Sequence, residues 1–173
     1  MESIVQLRLI AQMSVTLAGF AGVVVSFQYL QAVKVTRGDA LGLVMMVNIS
    51  LVNAFFALLP LILSNFAIKE ESTIWAICSM VSAINYSIFF YYIQGQLKLV
   101  QVRRAFTKVI FKLFFCSGIL AIIINIINAV YYRDYALYFI ILVLPLIYTA
   151  YLFMRLVSRP LWKAIRRQEK DIS

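Results

Sequence analysis

The 173-residue sequence contains no histidine and only two cysteines, which excludes several classes of site. Histidine is the side chain that titrates near neutral pH and the commonest metal ligand, so acid–base, metal and haem sites built on it are ruled out. Cys78 and Cys116 have no C-x-x-C spacing, and two such thiols predict neither a disulfide framework nor a redox pair. We interpret both as small packing residues.

Charge is also scarce. Only 13% of the residues are charged and 64% are hydrophobic, whereas globular domains are about 25% charged and about 45–50% apolar. A soluble fold of this size cannot bury so much apolar surface. With only six glycines and three prolines, collagen-like and disordered chains are excluded as well. The composition therefore predicts an integral membrane protein.

Five charge-poor runs are each long enough for a transmembrane helix, which needs roughly 20 apolar residues. Only Arg133 and Asp134 separate the last two runs. One helix over both would project far beyond a bilayer core about 30 Å thick, so a tight hairpin is favoured. We predict an all-α polytopic membrane protein, with a transmembrane domain over residues 1–157 and spans at about 9–33, 40–64, 73–95, 109–132 and 135–157.

Five spans place most of the 16 lysines and arginines on one side of the membrane. Because cytoplasmic loops carry the excess of basic residues, we predict an outside N-terminus and a cytoplasmic C-terminus. The first span has small residues typical of a cleavable signal peptide, but Gln12, Ser14 and Thr16 interrupt its apolar region. We therefore expect this span to be retained.

Catalytic features are missing from the spans. No Asp, Glu, Lys or Arg lies in the middle of any of them, whereas proton-coupled carriers and pumps depend on such groups. Neither a P-loop nor a G-x-G-x-x-G motif is present. Asp39, beside the basic loops, offers a single carboxylate for acid–base work. We predict no enzymatic activity, and no catalytic, cofactor-binding or metal-binding residues.

The first span carries a row of small residues at four-residue intervals: Ser14, Ala18, Gly22 and Ser26. Such spacing lets two helix backbones approach closely in a membrane. The row predicts a helix-packing seam, either within one bundle or between subunits. The intrachain position is favoured because every helix of a small bundle needs such a seam.

Uncharged polar residues are numerous at mid-span depth: Gln12, Asn48, Ser50, Asn53, Ser82, Asn85, Asn125 and Asn128. Interhelical hydrogen bonds explain them most simply, because no ring of charge or filter-like loop accompanies them. The alternative is a water-filled pathway formed by several copies of the chain. In that case the predicted lining residues are Asn48, Asn53, Asn85 and Asn125.

Basic residues are concentrated in two segments. Residues 97–112 have apolar residues at helical spacing and predict a basic amphipathic segment, and residues 158–173 form a basic cytoplasmic tail. The predicted contacts to anionic lipid headgroups or to an acidic partner are Arg103, Arg104, Lys108, Lys112, Arg159, Lys163, Arg166 and Arg167. Ordinary positive-inside anchoring is the simpler explanation. No nucleic-acid motif accompanies the charge, so no nucleic-acid partner is expected.

Three short stretches suggest a family: AGFAG at residues 18–22, AFFALLP at residues 54–60 and FMRL at residues 153–156. On these stretches and its five-span layout, the chain resembles a family of uncharacterised bacterial inner-membrane proteins. The resemblance implies a bacterial plasma membrane and no transferable activity.

The leading hypothesis is a membrane protein that acts by self-association, as a homo-oligomer that forms a passive pore or channel. The alternative is an accessory or scaffold subunit of a larger membrane complex, which docks an acidic partner at its basic cytoplasmic face. No cofactor is expected in either case.

Overall fold

The computed structural model describes residues 2–30, 37–66, 70–99 and 105–172, with side chains over 3–26, 40–66, 70–95 and 112–158. All regular structure in these ranges is helical. The helices are α1 (Glu2–Leu30), α2 (Arg37–Ser64), α3 (Glu71–Leu99), α4 (Ala105–Ile127) and α5 (Tyr135–Ile172), and a π-helical turn (Asn128–Tyr132) continues α4.

Each helix contains a stretch long and apolar enough to cross a membrane, so the predicted number of five is confirmed. These stretches are Ser3–Ser26, Ala40–Ser64, Glu71–Gly95, Lys112–Tyr132 and Tyr135–Ser158. The first stretch begins at Ser3, whereas the charge-free run predicted a start at Leu9. It includes Arg8 because one exposed arginine near a helix end does not interrupt the backbone hydrogen bonds.

A tight turn joins α4 to α5 at Arg133 and Asp134. Arg133 adopts a left-handed conformation (φ 51°), and its N–H donates to the carbonyl of Asn128 at 2.7 Å. The Asn128 side chain holds the same turn, since its Oδ1 accepts from the Asp134 N–H and its Nδ2 donates to the Asp134 carbonyl. This one amide therefore satisfies backbone groups that the helix end leaves open.

The helices form a bundle in which α1 packs on α2 and α5, α2 packs on α5, and α3 packs on α4. Two apolar clusters lie towards opposite ends. The first surrounds Phe56, Trp75 and Tyr138, and the second surrounds Met46 and Ile93. Buried polar side chains, among them Ser14, Asn53 and Ser82, lie between these clusters.

The two basic segments are continuations of membrane-length helices. Within residues 97–112, α3 runs to Leu99 and α4 begins at Ala105, so the described part contains no separate amphipathic helix. No glycine or proline interrupts α4 before Gly118, and the helix therefore continues into its apolar stretch. The predicted tail is likewise the last part of α5, which passes through Pro160 without a break in the helix and ends at Ile172.

Candidate functional site

Polar side chains join helices at the middle of the bundle. Asn53 on α2 donates from Nδ2 to the Ser14 hydroxyl on α1 at 3.0 Å. Both residues are almost fully buried, with 2% and 0% of their surface exposed. A buried amide needs hydrogen-bond partners, so this bond aligns the middle of α1 with the middle of α2.

A second bond of this kind joins α4 to α3. Asn128 donates from Nδ2 to the Ser79 hydroxyl at 2.9 Å, in addition to its bonds in the turn. Both oxygen and nitrogen of this amide are therefore used. Asn128 couples the α4–α5 turn to the neighbouring helix.

Pro60 creates a third polar contact because proline has no N–H to donate to the carbonyl four residues earlier. In α2 that carbonyl belongs to Phe56, and the Tyr138 hydroxyl of α5 donates to it at 2.7 Å. Tyr138 is fully buried. The backbone acceptor that proline frees is thus satisfied from another helix.

Other buried polar atoms have no partner among the described residues. They are the hydroxyls of Ser50 and Ser82 and the Oδ1 atoms of Asn53 and Asn125. Asn125 bonds only within its own helix, to the Ala121 carbonyl. Because buried polar groups in proteins are nearly always satisfied, these four mark an incompletely paired part of the interior.

A cavity of about 50 Å³ lies between α2, α3, α4 and α5, and of the four residues with an unpaired atom only Asn53 lines it. Its polar lining residues are all uncharged: Asn53, Asn85, Tyr86, Ser117 and Tyr148. The rest of the lining is apolar and includes three phenylalanines, of which Phe114 stacks on Tyr148 at 4.2 Å between ring centroids. Over the described residues α2 and α4 have no substantial contact, which leaves this space between them.

The predicted pore-lining asparagines do not share one surface. Asn53 and Asn125 are buried inside the chain, Asn85 is half-buried, and Asn48 is exposed on the outside of α2. Only Asn53 and Asn85 line the cavity. The structure therefore brings two of the four together and leaves Asn48 facing outwards.

The predicted small-residue seam turns from the inside of the bundle to the outside. Ser14 is buried and Ala18 half-buried, whereas Gly22 and Ser26 are exposed. A four-residue step overshoots one helical turn by about 40°, so three steps displace the row by about 120° around α1. Only its first half packs within the chain, and a Cβ added at Gly22 would meet no atom within 4 Å.

The outer face of α1 carries a different stripe, with a spacing of seven residues: Val5, Gln12, Gly19 and Ser26. Seven-residue spacing keeps residues on nearly the same side of a helix. Gln12 is exposed in the middle third of the apolar stretch, and none of the described side chains bonds to its amide. Gly19 is exposed and also open to an added Cβ.

The structure locates the predicted basic contacts unevenly. Arg103 and Arg104 lie outside the described residues. Lys108 is in α4, and Lys112 is exposed at the start of its apolar stretch. Arg159, Lys163, Arg166 and Arg167 follow the apolar stretch of α5 on the same helix; their side chains and that of Lys108 are outside the described part.

No group of three or more His, Cys, Asp or Glu residues that could hold a metal occurs among the described residues. Cys78 is buried and Cys116 exposed, both as free thiols.

Sequence reasoning missed the tyrosines of the interior. The Tyr138 hydroxyl donates to the Phe56 carbonyl of α2, and Tyr86 and Tyr148 line the cavity. A proline within a helix leaves the carbonyl four residues earlier without its N–H donor, but for Pro60 the replacing donor lies 82 residues beyond Phe56. No spacing rule connects positions so far apart.

No known protein family, curated protein or solved structure matches this chain. The resemblance to the bacterial five-span family stays a prediction.

Proposed function

We propose that this chain is an integral membrane protein that acts by self-association through the outer face of α1. The single observation that carries the proposal is Gln12, an unpaired amide exposed in the middle of an apolar helix. In hydrocarbon, such an amide has no water to bond and is satisfied only by another helix. Within the chain, none of the described residues supplies that partner.

The surroundings of Gln12 suit a second copy of α1. Gly19 and Ser26 follow it at seven-residue intervals, and small residues allow two backbones to approach closely. A repeat of seven favours a shallow, left-handed crossing of two helices. Two copies related by a two-fold axis would place each Gln12 near its equivalent, where amides can bond reciprocally.

For the membrane itself, we propose a bacterial inner membrane, with the N-terminus outside and the basic end of α5 in the cytoplasm. This orientation would place most of the lysines and arginines on the cytoplasmic side, as the positive-inside rule favours. Anionic headgroups would then contact the basic end of α5.

The test is the oligomeric state in lipid nanodiscs or liposomes, measured by single-molecule photobleaching over a range of protein-to-lipid ratios. Gln12→Leu should weaken association by roughly eightfold to three-hundredfold, because it removes two reciprocal interhelical hydrogen bonds worth about 0.6–1.7 kcal/mol each. Gly19→Leu should weaken it further by holding the backbones apart. Its added side chain begins in open space, so the isolated bundle should stay folded.

Met13→Leu is the matched control, since Met13 is exposed beside Gln12 but about 100° around the helix. It should leave association unchanged. A wild-type chain that stays monomeric at every ratio, or a Gln12→Leu variant that associates like wild type, would overturn the proposal.

A passive pore along the oligomer axis is the narrower form of this proposal. Of the predicted lining residues, only Asn48 and Asn85 reach beyond the buried interior of the chain. Conductance across planar bilayers should therefore fall in Asn48→Leu and persist in Asn125→Leu, whose amide is buried. An unchanged conductance in Asn48→Leu would remove that residue from the lining.

One observation favours the alternative role, an accessory subunit that docks an acidic partner. Helix α5 continues through residues 159–172, past its apolar stretch, and this extension carries Arg159 and Lys163. Arg159→Glu combined with Lys163→Glu should then release a co-purifying partner, whereas Arg133→Glu, in the α4–α5 turn, should not. Native mass spectrometry of the extracted particle measures both, and retention of the partner in the double variant would contradict docking there.

A further inference from the structure

We infer that the groove between α2 and α3 is a second interface between copies of this chain, formed around the side-chain amide of Asn85. None of the described residues of α1 lines this groove, and α1 makes no substantial contact with α3 over those residues. The interface is therefore separate from the proposed contact through the outer face of α1 and does not depend on it.

The groove is a concave surface on the outside of the bundle, with a volume of about 390 Å³. Its lining is apolar apart from Asn85, and the most exposed apolar members are Leu51, Phe55, Val81, Ile84 and Ile88. Helices associate in membranes through close van der Waals packing, because lipid tails are as apolar as the side chains. A concave apolar surface is well suited to such packing, since side chains of a facing helix can fill it.

Asn85 gives the groove a polar group at mid-membrane depth. It lies near the middle of the apolar stretch Glu71–Gly95, is half-buried, and bonds to no described residue. A lipid tail offers no donor or acceptor there, because the polar parts of lipids lie at the membrane surface. An amide at this depth is satisfied only by a polar group of another helix, so the groove favours protein over lipid as its occupant.

A second copy of the chain supplies the polar group that Asn85 needs. A side-chain amide has both donors and an acceptor, so two Asn85 side chains related by a two-fold axis can bond reciprocally. The same axis would bring the exposed Ile84 and Ile88 of the two copies together. No charged residue lines the groove, so an identical surface meets no electrostatic repulsion in it.

Two separate two-fold interfaces would join the copies into a row. Copies inserted with the same orientation share the membrane normal, so both two-fold axes are parallel to it. Two half-turns about parallel axes combine to a translation, and the assembly therefore stays open instead of closing into a ring. The row, unlike the α2–α3 interface, rests on the proposed contact through Gln12.

The test counts the copies in each assembly by single-molecule photobleaching in liposomes, over a range of protein-to-lipid ratios. The wild-type chain should form assemblies of more than two copies, which lengthen as its density rises. Asn85→Leu and Gln12→Leu should each shorten them to dimers, held through the remaining interface. In the Gln12→Leu background, Asn85→Leu should raise the density at which dimers form by roughly eightfold to three-hundredfold, because two reciprocal interhelical bonds are lost.

Ser87→Leu is the matched control. Ser87 is an exposed polar residue about 200° around α3 from Asn85, and its hydroxyl bonds within its own helix to the Ala83 carbonyl. This variant should leave the assemblies unchanged. Asn85 has no bond to lose within the described chain, so Asn85→Leu should keep the bundle folded. Assemblies unchanged by Asn85→Leu would overturn the interface, whereas assemblies unchanged by Gln12→Leu would count against the α1 contact alone.

Cross-linking locates the contact directly. Ile84→Cys, combined with Cys116→Ala to remove the exposed native thiol, should form a disulfide between two copies under a membrane-permeable oxidant. Ile119→Cys in the same background is the matched control, because Ile119 is similarly exposed on α4, and it should not cross-link. The absence of a cross-link at residue 84, as expected if lipid covers the groove, or a cross-link there to a different protein would overturn the inference.

Discussion

Asn125 lies near the end of α4, and Asn128 follows about one helical turn later, at the start of the π-helical turn. Their side-chain amides differ in how completely they are hydrogen-bonded. Asn128 bonds to Ser79 and, through both ends of its amide, to Asp134. Asn125 bonds only to Ala121 in its own helix, and its Oδ1 has no partner among the described residues. Ser82, one turn along α3 from Ser79, is also unpaired.

The two prolines inside the apolar stretches repeat this contrast. Pro60 frees the Phe56 carbonyl, which receives the Tyr138 hydroxyl. Pro145 frees the Ile141 carbonyl, and none of the described side chains donates to it. Pro145 also lines the cavity, whereas Pro60 does not.

The comparison separates buried polar groups that bond to another helix, such as Asn128 and Tyr138, from Asn125 and Ser82, which have side-chain atoms without a partner among the described residues. In the first group, each polar side chain hydrogen-bonds to a neighbouring helix that lies close to it. In the second group, the Asn125 Oδ1 and the Ser82 hydroxyl face no such partner among the described residues. The stability of the bundle should therefore depend more on the first group of residues than on the second.

The largest effect is expected for Asn128→Leu. The substitution removes three hydrogen bonds and leaves the buried Ser79 hydroxyl without its partner, so unfolding should become easier by about 2–4 kcal/mol. Asn125→Leu is the matched control and should cost less than about 1 kcal/mol, because it loses one local bond and removes an unpaired oxygen. Reversible unfolding in mixed micelles measures the unfolding free energies of both variants, and equal losses of stability would contradict the comparison.

The next effect concerns glycine. A methyl group at Gly118 would overlap the ring of Phe90, which packs beside the cavity, so Gly118→Ala should destabilise the bundle by about 1–3 kcal/mol. Gly22→Ala places its methyl in open space and should leave the stability of the single chain unchanged. A thermal scan measures the unfolding temperature of both variants. If both unfold at the wild-type temperature, the contact between Gly118 and Phe90 is looser than described.

The smallest effect is expected for Tyr138→Phe, about 1–2 kcal/mol, because the Phe56 carbonyl then loses its donor. Pro60→Ala restores the backbone N–H for that carbonyl. In the Pro60→Ala background, Tyr138→Phe should therefore cost clearly less. A double-mutant cycle of unfolding free energies measures this coupling, and additive costs would show that proline and tyrosine act independently.

Particular residues show how far the sequence carried the interpretation. Arg133 and Asp134 predicted where the chain turns, because two charges between apolar runs are expensive to bury. Ser14 was assigned to a seam and does pack inside, but Gly22 in the same row faces outwards. The spacing identified neighbours along one helix, whereas the position of α2 and α5 decided which of them were covered.

The asparagines make the same point for the candidate site. Their depth could be predicted from their place in each apolar run. Whether Asn53 faced a partner, the cavity or the outside could not, because its bond to Ser14 spans 39 residues of sequence.

By itself, the sequence determined the all-helical class, the five apolar helices and the α4–α5 turn. These follow from local properties, since a helix bonds its own backbone and an apolar run of sufficient length needs no distant partner. Only the tertiary structure decided that the Asn128 amide bonds to Ser79 and Asp134, that Tyr138 donates to the carbonyl freed by Pro60, and that a largely apolar cavity lies between α2, α3, α4 and α5. Those outcomes depend on which helix faces which, and close packing sets that arrangement through contacts distant in sequence.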